Sequence, residues 1–341
     1  MTPAIVFRAD ASHALGLGHV ARLCALIEEL GPDDAQPIAM FGGDAELSAW
    51  VSRHGIAGTA RPPGQPWSAA EVLAAAAEPR VRAVVVDGPT LATALAPALI
   101  ERGVRTVVID DRGGCALAVD AIVNHNFHAP TLAGGYPGAR LRLLGRDYLL
   151  LRRTVRRYPR GSCRPKTGAR LRVIVSFGGS DPVGATARTL HLIPPDRPVD
   201  LVVLAGPGFR DDEALRRAAQ VAAAAGHTVQ IVHGSDDPGS LFVHADAAIC
   251  SAGGTLGELA YLGCPALGFA IVPDQVPCAR NQVRGGLIAG GRTWSETDDD
   301  TLRAELLAFL ADDRGRRGLR QRALATATGN GARRVVNEAL G

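Results

Sequence analysis

The sequence predicts an α/β protein of two tandem domains, each a doubly wound parallel β-sheet flanked by helices. Short apolar runs that resemble buried strands alternate with amphipathic or alanine-rich segments that resemble helices. The alternation stops once, in a stretch rich in arginine and proline, and then starts again. A length of 341 residues suits two domains of ordinary size.

Composition narrows the possible classes of function. Hydrophobic residues make up 47% and aromatic residues 4%, so the cores are built from small aliphatic side chains. A net charge of +3 from 37 basic and 34 acidic residues is too balanced for a nucleic-acid-binding surface. The apolar run 260–272 contains glycine and proline and is too short to span a bilayer. The chain opens on a strand without a signal peptide, and its six cysteines form no Cys-x-x-Cys pair. We therefore expect a cytoplasmic protein with no nucleic-acid partner and no stable membrane insertion.

The first half reads as repeated strand–helix units. Strands are predicted at 4–7, 36–41, 81–86, 104–109 and 119–124, and helices at 20–30, 45–54, 67–77 and 91–102. An exposed linker is predicted at 149–172, which places the domains at 1–155 and 156–341.

The second half repeats the pattern. Strands are predicted at 171–177, 199–204, 228–232, 247–250 and 266–272. Helices are predicted from 184 and at 211–225, 238–244, 256–262, 297–310, 314–328 and 331–340. The last helices either stay in the second domain or cross back to the first. The cleft between two such domains is the expected position of a binding site.

The loop after the first strand contains Gly16 and Gly18 and leads into His19 at the start of a helix. Glycines let a ligand approach the backbone, and a helix N-terminus favours anions. Histidine is the residue type in this loop that can act as an acid or base near neutral pH, so His19 is a candidate catalyst, although a lone histidine beside glycines is more often a capping or surface residue.

Two further glycine loops occur in the second half. Gly178-Gly179-Ser180-Asp181 fits either a phosphate-binding loop or a helix cap formed by Ser180 or Asp181. Ser251-Ala252-Gly253-Gly254-Thr255 would offer several N–H groups to an anion. Glu258 would then bind a ribose, or would form a capping box with Thr255.

Other motifs are missing from the sequence or fit a simpler role. There is no P-loop, no Gly-x-Ser-x-Gly, and no third glycine to complete a nicotinamide or flavin fingerprint. Asp110-Asp111 could hold a divalent ion but also suits the end of a strand, and His125-x-x-His128 suits the wall of a site better than a metal centre. We expect neither a metal nor a cofactor.

Several motifs together resemble the PseG family of UDP-sugar hydrolases, which act in pseudaminic acid biosynthesis. The resemblance covers nearly the whole chain and rests on Phe7–Ser12 with Gly16–Arg22, Leu144–Arg152, Val175–Pro182, Ala245-Asp246, Ser251–Glu258 and Asn330–Val336.

The resemblance implies a GT-B fold of two Rossmann-like domains facing across a cleft. UDP would lie on the second domain, with its diphosphate on Gly253-Gly254-Thr255 and its ribose on Glu258. His19 would activate water to attack the anomeric carbon of a UDP-activated diacetamido-trideoxy hexose, as in the biosynthesis of pseudaminic or related nonulosonic acids.

Two positions depart from the family pattern, and both fall where the sugar should bind. The family's Asp-x-Tyr is Asp87-Gly88-Pro89 in this chain. Its Asn-Gln pair corresponds either to Asp274-Gln275 or to Asn281-Gln282, with residues 276–280 read as an insertion between them.

The sequence thus predicts a metal-independent UDP-sugar hydrolase with His19 as its catalytic residue and a small-molecule partner only. No oligomeric state is favoured over a monomer. The predicted substrate-binding residues are Arg8, Asp10, Gly16, Gly18, Asp87, Asn124, Gly178, Gly179, Ser180, Ser251, Gly253, Gly254, Thr255, Glu258, Asp274, Gln275, Asn281 and Gln282. The alternatives are a glycosyltransferase of the same fold with a non-water acceptor, and a catalytically silent sugar-nucleotide-binding protein.

Overall fold

Parallel β-sheets form the framework of the molecule, one in each of two units. The computed structural model describes residues 2–12, 16–31, 33–43, 45–54, 56, 58–61, 65, 67–163 and 170–341. One unit runs up to Arg153 and also includes Gly329–Gly341, and the other is Thr154–Thr328. The predicted α/β class is confirmed.

The first unit alternates strands and helices along the chain. Its strands in the described residues are β1 (Ala4–Asp10), β2 (Gln36–Gly42), β3 (Gly58–Arg61), β4 (Val81–Asp87), β5 (Arg105–Ile109), β6 (Ala121–Asn124) and β7 (Leu141–Leu144). Its helices are α1 (Gly18–Ile27), α2 (Ala45–Arg53), α3 (Ala69–Ala76) and α4 (Pro89–Glu101), with 3-10 turns at Ala129–Gly135 and Arg146–Tyr148. The sheet order is β3-β2-β1-β4-β5-β6-β7, and the neighbouring strands are parallel.

The second unit begins within a short helix, α5 (Arg153–Arg156). Its described strands are β8 (Arg172–Ser176), β9 (Asp200–Ala205), β10 (Thr228–His233), β11 (Ala247–Ser251), β12 (Ala266–Ala270) and β13 (Ala289–Thr293). They form a parallel sheet in the order β10-β9-β8-β11-β12-β13. Its helices are α6 (Ala185–Leu192), α7 (Asp212–Ala224), α8 (Pro238–Phe242), α9 (Gly254–Leu262), α10 (Gln275–Arg284), α11 (Asp299–Ala311) and α12 (Asp313–Thr326), with a 3-10 turn at Trp294–Glu296.

The end of the chain completes the core of the first unit. Helix α13 (Gly331–Val335) continues into a π-helical segment, Val336–Leu340. Side chains of both segments pack with Ile5 and Phe7 of β1 and with α1. Because strand side chains alternate between faces, Val6 instead packs with the helices on the other side of the sheet. Both faces of the sheet are therefore covered, as parallel sheets require.

The second unit has its own core around Trp294. Its ring centroid lies 5.1 Å from that of Phe177 and 4.9 Å from that of Phe269. Helices α11 and α12 pack their apolar faces into the same cluster. No helix in the described ranges is both long and apolar enough to cross a membrane.

The predicted linker at 149–172 contains the boundary between the two units, but it is not exposed throughout the part that the structure describes. Leu149, Leu150 and Leu151 are buried. Farther along, the Gly161 N–H donates to the Tyr261 carbonyl at 3.0 Å, and the Cys163 N–H donates to the Leu262 carbonyl at 2.9 Å. Apolar residues and backbone hydrogen bonds anchor the segment despite its many arginines. Residues 164–169 lie outside the described part of the chain.

Five of the labelled elements were not predicted from the sequence: β3, β7, β13, α5 and α10. The supposed insertion at 276–280 is the first half of α10. Pro277 stands in the first turn of that helix, where a missing N–H costs nothing.

Candidate functional site

The candidate site of the first unit lies where its strand order reverses. Strands β1 and β4 are neighbours although five elements (α1, β2, α2, β3 and α3) separate them along the chain. Ligands of doubly wound sheets bind at such reversals, beside the carboxyl ends of the strands. His19 lies in the first turn of α1, and Asp87 is the last residue of β4. His19 Nδ1 is 2.7 Å from Asp87 Oδ1.

Arg22 holds the same carboxylate from one helical turn beyond His19. Its Nε donates to Asp87 Oδ2 at 3.0 Å, and its Nη2 donates to Asp87 Oδ1 at 2.8 Å. The Asp87 side chain is 0% exposed and the Arg22 side chain 11%. A bidentate pair of this kind fixes the orientation of the carboxylate.

Asp111, just beyond β5, binds the other side of Arg22. Arg22 Nη1 donates to both Asp111 oxygens at 2.6 Å. Burial acts to lower the pKa of Arg22, but Asp111 and Asp87 outweigh burial and raise it. Burial likewise acts to raise the pKa of Asp111, but Arg22 and, less strongly, His125 hold it well below its usual range. Arg22 and Asp111 therefore remain charged, and the arginine is shared between two carboxylates.

His125 closes the far side of this cluster as a neutral ring. The Leu150 N–H donates to His125 Nδ1 at 3.2 Å, so the proton of the neutral ring sits on Nε2. Nε2 lies 3.4 Å from Arg22 Nη1. Burial and the charge of Arg22 lower the pKa of His125 to about 4. The ring thus adds no charge to the cluster near neutral pH.

Asn124 stands behind the cluster rather than at its surface. It is fully buried, and its Nδ2 donates to the Tyr136 hydroxyl at 2.9 Å. Its Oδ1 accepts from Asn126 Nδ2 at 3.1 Å, and Asn126 Nδ2 also donates to Asp111 Oδ1 at 2.7 Å. These hydrogen bonds fix the position of Asp111.

Asp110, Asp111 and His125, which the sequence presents as candidate metal ligands, bind other groups of the protein. Asp110 accepts the Gly113 N–H at 2.9 Å, whereas Asp111 binds Arg22. His125 Nδ1 accepts a backbone N–H. Within the described ranges, no group of three or more His, Cys, Asp or Glu side chains is arranged to hold a metal ion.

Arg8 and Asp10 pair at the end of β1. Arg8 is 1% exposed, and its Nη1 donates to Asp10 Oδ1 at 2.5 Å. A Cβ at Gly42 would lie 2.1 Å from the same Asp10 oxygen, so this pairing requires glycine there. The Asp10 side chain keeps 29% exposure. Of the pair, only Asp10 offers surface to a ligand.

The glycine loop before His19 is described in part. Gly16 has a φ of +71°, which favours glycine, and its N–H donates to the Ser12 carbonyl at 2.7 Å. A Cβ added at Gly18 would meet nothing within 4 Å. Among the described residues, none fills this position beside the start of α1.

The second unit has its own reversal, between β8 and β11. The two predicted glycine loops follow these strands, and a Cβ added at Gly178 would lie 3.8 Å from Ser251 Oγ. Gly184 occupies the capping position of α6, and Asp181 accepts the N–H groups of Ala185 at 2.9 Å and Thr186 at 2.7 Å from three residues before it. Gly179 and the buried Ser180 stand beside Asp181 in the same loop.

The first turn of α9 presents backbone N–H groups without a side-chain cap. The helix begins at Gly254, and Gly253 occupies the capping position with no side-chain hydrogen bond. The capping box of Thr255 and Glu258 is therefore wrong, because the capping position lies two residues before Thr255. A Cβ added at Gly254 would meet nothing within 4 Å, and Glu258 is buried in the next turn. The first N–H groups of a helix have no partner within the helix and attract anions.

Two pairs, Asp274-Gln275 and Asn281-Gln282, were candidates for the family's Asn-Gln. Gln275 lies beside the glycine loop that precedes α9. Its Oε1 accepts the Ile271 N–H at 3.0 Å, and its Nε2 would lie 3.3 Å from a Cβ at Gly253. Asp274 precedes it as the capping residue of α10. Asn281 and Gln282 lie farther along α10, and the buried Gln282 donates to Cys278 Sγ at 3.1 Å.

Sequence reasoning found His19 and Asp87 but missed Arg22, Asp111 and His125 as their partners. One signal was present: His19 and Arg22 are three residues apart, which places them on one face of a helix. The carboxylates could not be assigned to Arg22 without the order of the strands.

Comparisons with known proteins place the fold. No family model matches the chain, and no curated protein matches it. Among solved structures, MurG of Acinetobacter baumannii has a TM-score of 0.66 at 17% identity, covering 99% of both chains. The S. aureus MnaA–UDP co-structure has a TM-score of 0.66 at 12% identity, covering 98% of this chain and 95% of that one. UGT71G1 of Medicago truncatula, complexed with UDP-glucose, has a TM-score of 0.61 at 11% identity, covering 100% and 99%. At such identities the likeness is one of fold, and it confirms the two-domain GT-B architecture.

Proposed function

We propose that this protein is a nucleotide-sugar hydrolase. His19 activates a water molecule that attacks the anomeric carbon of a UDP-activated hexose and releases UDP and the free sugar. The 2.7 Å contact between His19 Nδ1 and Asp87 Oδ1 carries this proposal. It commits one ring nitrogen to a buried carboxylate and leaves the other for the water.

The reaction balances with the groups present. The water oxygen forms a bond to the anomeric carbon while one of its protons passes to His19 Nε2. The bond between the anomeric carbon and the phosphate oxygen breaks, and its electron pair leaves with UDP. Asp87 stabilises the imidazolium that forms, as carboxylates do in acid–base pairs. A general base in this position contributes about 10²–10⁴-fold to the rate.

The first turn of α9 supports the nucleotide half of the proposal. Its open N–H groups suit the diphosphate and stabilise the negative charge that develops on the leaving group. Gly253, Gly254 and Thr255 would bind the phosphates, and Glu258 the ribose. Two solved structures of the same fold contain UDP or UDP-glucose, which supports UDP as the nucleotide. No metal takes part in the proposed reaction.

The sugar is assigned from the sequence resemblance alone. The first unit would bind a diacetamido-trideoxy hexose through Asp10, Asp87 and the loop that precedes His19. Pro89 stands where the related hydrolases have tyrosine, so this chain contacts its sugar without that ring.

A glycosyltransferase is the second candidate. The His19–Asp87 arrangement deprotonates an acceptor hydroxyl as readily as water, because both present an O–H to the same ring nitrogen. The two candidates differ only in which oxygen attacks.

The test is incubation with a panel of UDP-, CMP- and GDP-sugars in ¹⁸O-labelled water, with nucleotide release followed by NMR. We expect UDP release with label in the free sugar. Label in the phosphate would mean attack at phosphorus and would contradict the mechanism. Release that depends on an added alcohol or sugar acceptor would instead establish the transferase. A reaction containing chelator controls for metal dependence, and we expect its rate to be unchanged.

A further inference from the structure

Three atoms around His19 form a nearly equilateral triangle. His19 Nδ1 lies 2.7 Å from Asp87 Oδ1 and 2.8 Å from Arg22 Nη2, and Arg22 Nη2 lies 2.8 Å from Asp87 Oδ1. The arginine nitrogen can only donate a hydrogen bond. His19 Nδ1 can donate to Asp87 or accept from Arg22, but one nitrogen cannot do both at once.

The contact with Asp87 decides between the two arrangements. Without a hydrogen on Nδ1, its lone pair would face a charged oxygen at 2.7 Å, which is repulsive. With a hydrogen on Nδ1, both nitrogens donate to the same buried carboxylate oxygen, whose negative charge offsets the close approach of the two donors. The neutral ring then carries its lone pair on Nε2, where a water proton can be accepted.

The charge of Arg22 is divided between two carboxylates. Arg22 donates to Asp87 with two nitrogens and to both oxygens of Asp111 with the third. Arg22, Asp87 and Asp111 together carry one net negative charge while His19 is neutral. Protonation of His19 brings this sum to zero. Without Asp111, Arg22 would cancel Asp87, and an imidazolium would be left uncompensated.

The groups that face His19 come from four elements. Asp87 belongs to β4, Arg22 to α1, Asp111 to the loop after β5 and His125 to the loop after β6. His125 stays neutral near neutral pH because burial and Arg22 lower its pKa to about 4. Only the arginine and the two carboxylates therefore contribute charge.

We propose that Arg22 and Asp111 are positioning residues that keep the proton of neutral His19 on Nδ1 and provide the charge balance for its protonation during turnover. Arg22 fixes the carboxylate of Asp87, and Asp111 prevents Arg22 from neutralising it. The kinetic part of this proposal rests on the proposed role of His19 as the general base.

Two substitutions of opposite charge test the balance. Asp111→Asn keeps the shape of the side chain, and its loss of negative charge disfavours the imidazolium. The acidic limb of the kcat/KM–pH profile should therefore move to lower pH. Arg22→Gln removes a positive charge, so the limb should move to higher pH. Each shift should be on the order of one pH unit, given charges a few ångströms from the ring in a partly buried site. Arg22→Lys should restore the position of the limb but not the full plateau, because a lysine lacks the bidentate fork.

Asp147→Asn and Arg140→Gln serve as matched controls. These side chains are 55% and 83% exposed, and each variant makes the same charge change on the surface of the first unit. If Arg22 and Asp111 had a merely structural role, their substitution would lower the plateau of kcat/KM and leave the pH of the acidic limb unchanged. The proposal would be overturned if the acidic limb lay at the same pH in all variants. It would also be overturned if Asp111→Asn and Arg22→Gln shifted that limb in the same direction.

Nitrogen-15 NMR of His19 provides a readout that needs no substrate. In the ligand-free protein we expect the Nδ1–H tautomer, with its titration displaced in opposite directions by the two variants. A wild-type ring with its proton on Nε2 would refute the tautomer assignment even if the enzyme hydrolyses UDP-sugars. If no nucleotide sugar is turned over but the NMR titrations separate as expected, the hydrolase proposal fails and the charge balance stands.

Discussion

At the scale of single residues, His19 combines a fixed ring nitrogen with partial exposure. Its side chain is 26% exposed, whereas its partner Asp87 is 0% exposed. The buried partner fixes the ring, and the exposed part of the ring remains accessible to a substrate. The residue therefore has the surroundings of a base rather than of a helix cap, and no side-chain cap closes the start of α1.

Removing the ring of His19 tests this assignment. We expect His19→Ala to lower kcat by about 10²–10⁴-fold, because the general base is lost. UDP affinity should change little, since the proposed nucleotide contacts lie in the second unit. Turnover by NMR and UDP titration by calorimetry measure the two quantities separately. The exposed His244→Ala is the control; undiminished turnover in His19→Ala would reduce His19 to a surface residue.

His125 makes the stability of the protein sensitive to mild acid. Burial and Arg22 lower its pKa from 6.5 to about 4, so the unfolded chain binds a proton that the folded protein does not. Stability therefore falls as the pH drops from 6.5 toward 4, by up to about 3 kcal/mol for this residue. Asp111 has the same sign of effect at lower pH, because the stability that its lowered pKa provides is lost on its protonation.

His125→Asn isolates this contribution. An asparagine oxygen takes roughly the place of Nδ1 and still accepts the Leu150 N–H, but it does not titrate. Denaturant unfolding of the variant at several pH values should show a shallower loss of stability between pH 6.5 and 4 than the wild type does. Identical slopes would show that folding does not lower the pKa of His125. The exposed His191→Asn should retain the wild-type slope.

At the scale of elements, the sequence predicted most strands because their apolar runs are continuous, as in β4 and β11. It missed β13, in which Gly290 and Gly291 have φ values of +80° and +89° and look like a turn. It missed α10 because Pro277 looks like a helix breaker, although the first turn of a helix tolerates proline. The preference of single residues for strand or helix predicts an element poorly in two cases. One is a strand stabilised by pairing with its neighbour, and the other is a proline in the first turn of a helix.

The π-helical segment after α13 supplies the next prediction. Leu340 is 1% exposed and packs in the core of the first unit. Leu340→Ala should destabilise that unit by about 2–4 kcal/mol, through lost apolar contact and a cavity. The matched control Leu307→Ala, in α11 and 40% exposed, should cost much less. Comparable costs in chemical unfolding would mean that the end of the chain is not part of this core.

At the scale of the whole molecule, the candidate site depends on strand order, which no local pattern reveals. His19 meets Asp87 only because β4 lies beside β1, and Asp111 meets Arg22 only because β5 follows in the sheet. Glycine loops and the alternation of elements are local properties, so the sequence located the loops of both units. Side-chain partners from different strands arise from the tertiary fold, and the sequence could not pair them.

The return of the chain to its first unit has a consequence for biosynthesis. Residues 154–328 are contiguous, so the second unit is complete in the nascent chain before Gly329 has been added. The first unit, although synthesised first, waits for its last thirteen residues, Gly329–Gly341, to cover one face of its sheet. Domains generally fold as units during synthesis. The unit that carries His19 is therefore the later one to mature, and synthesis that stalls just after Thr328 leaves the second unit folded and the first without the cover of one sheet face.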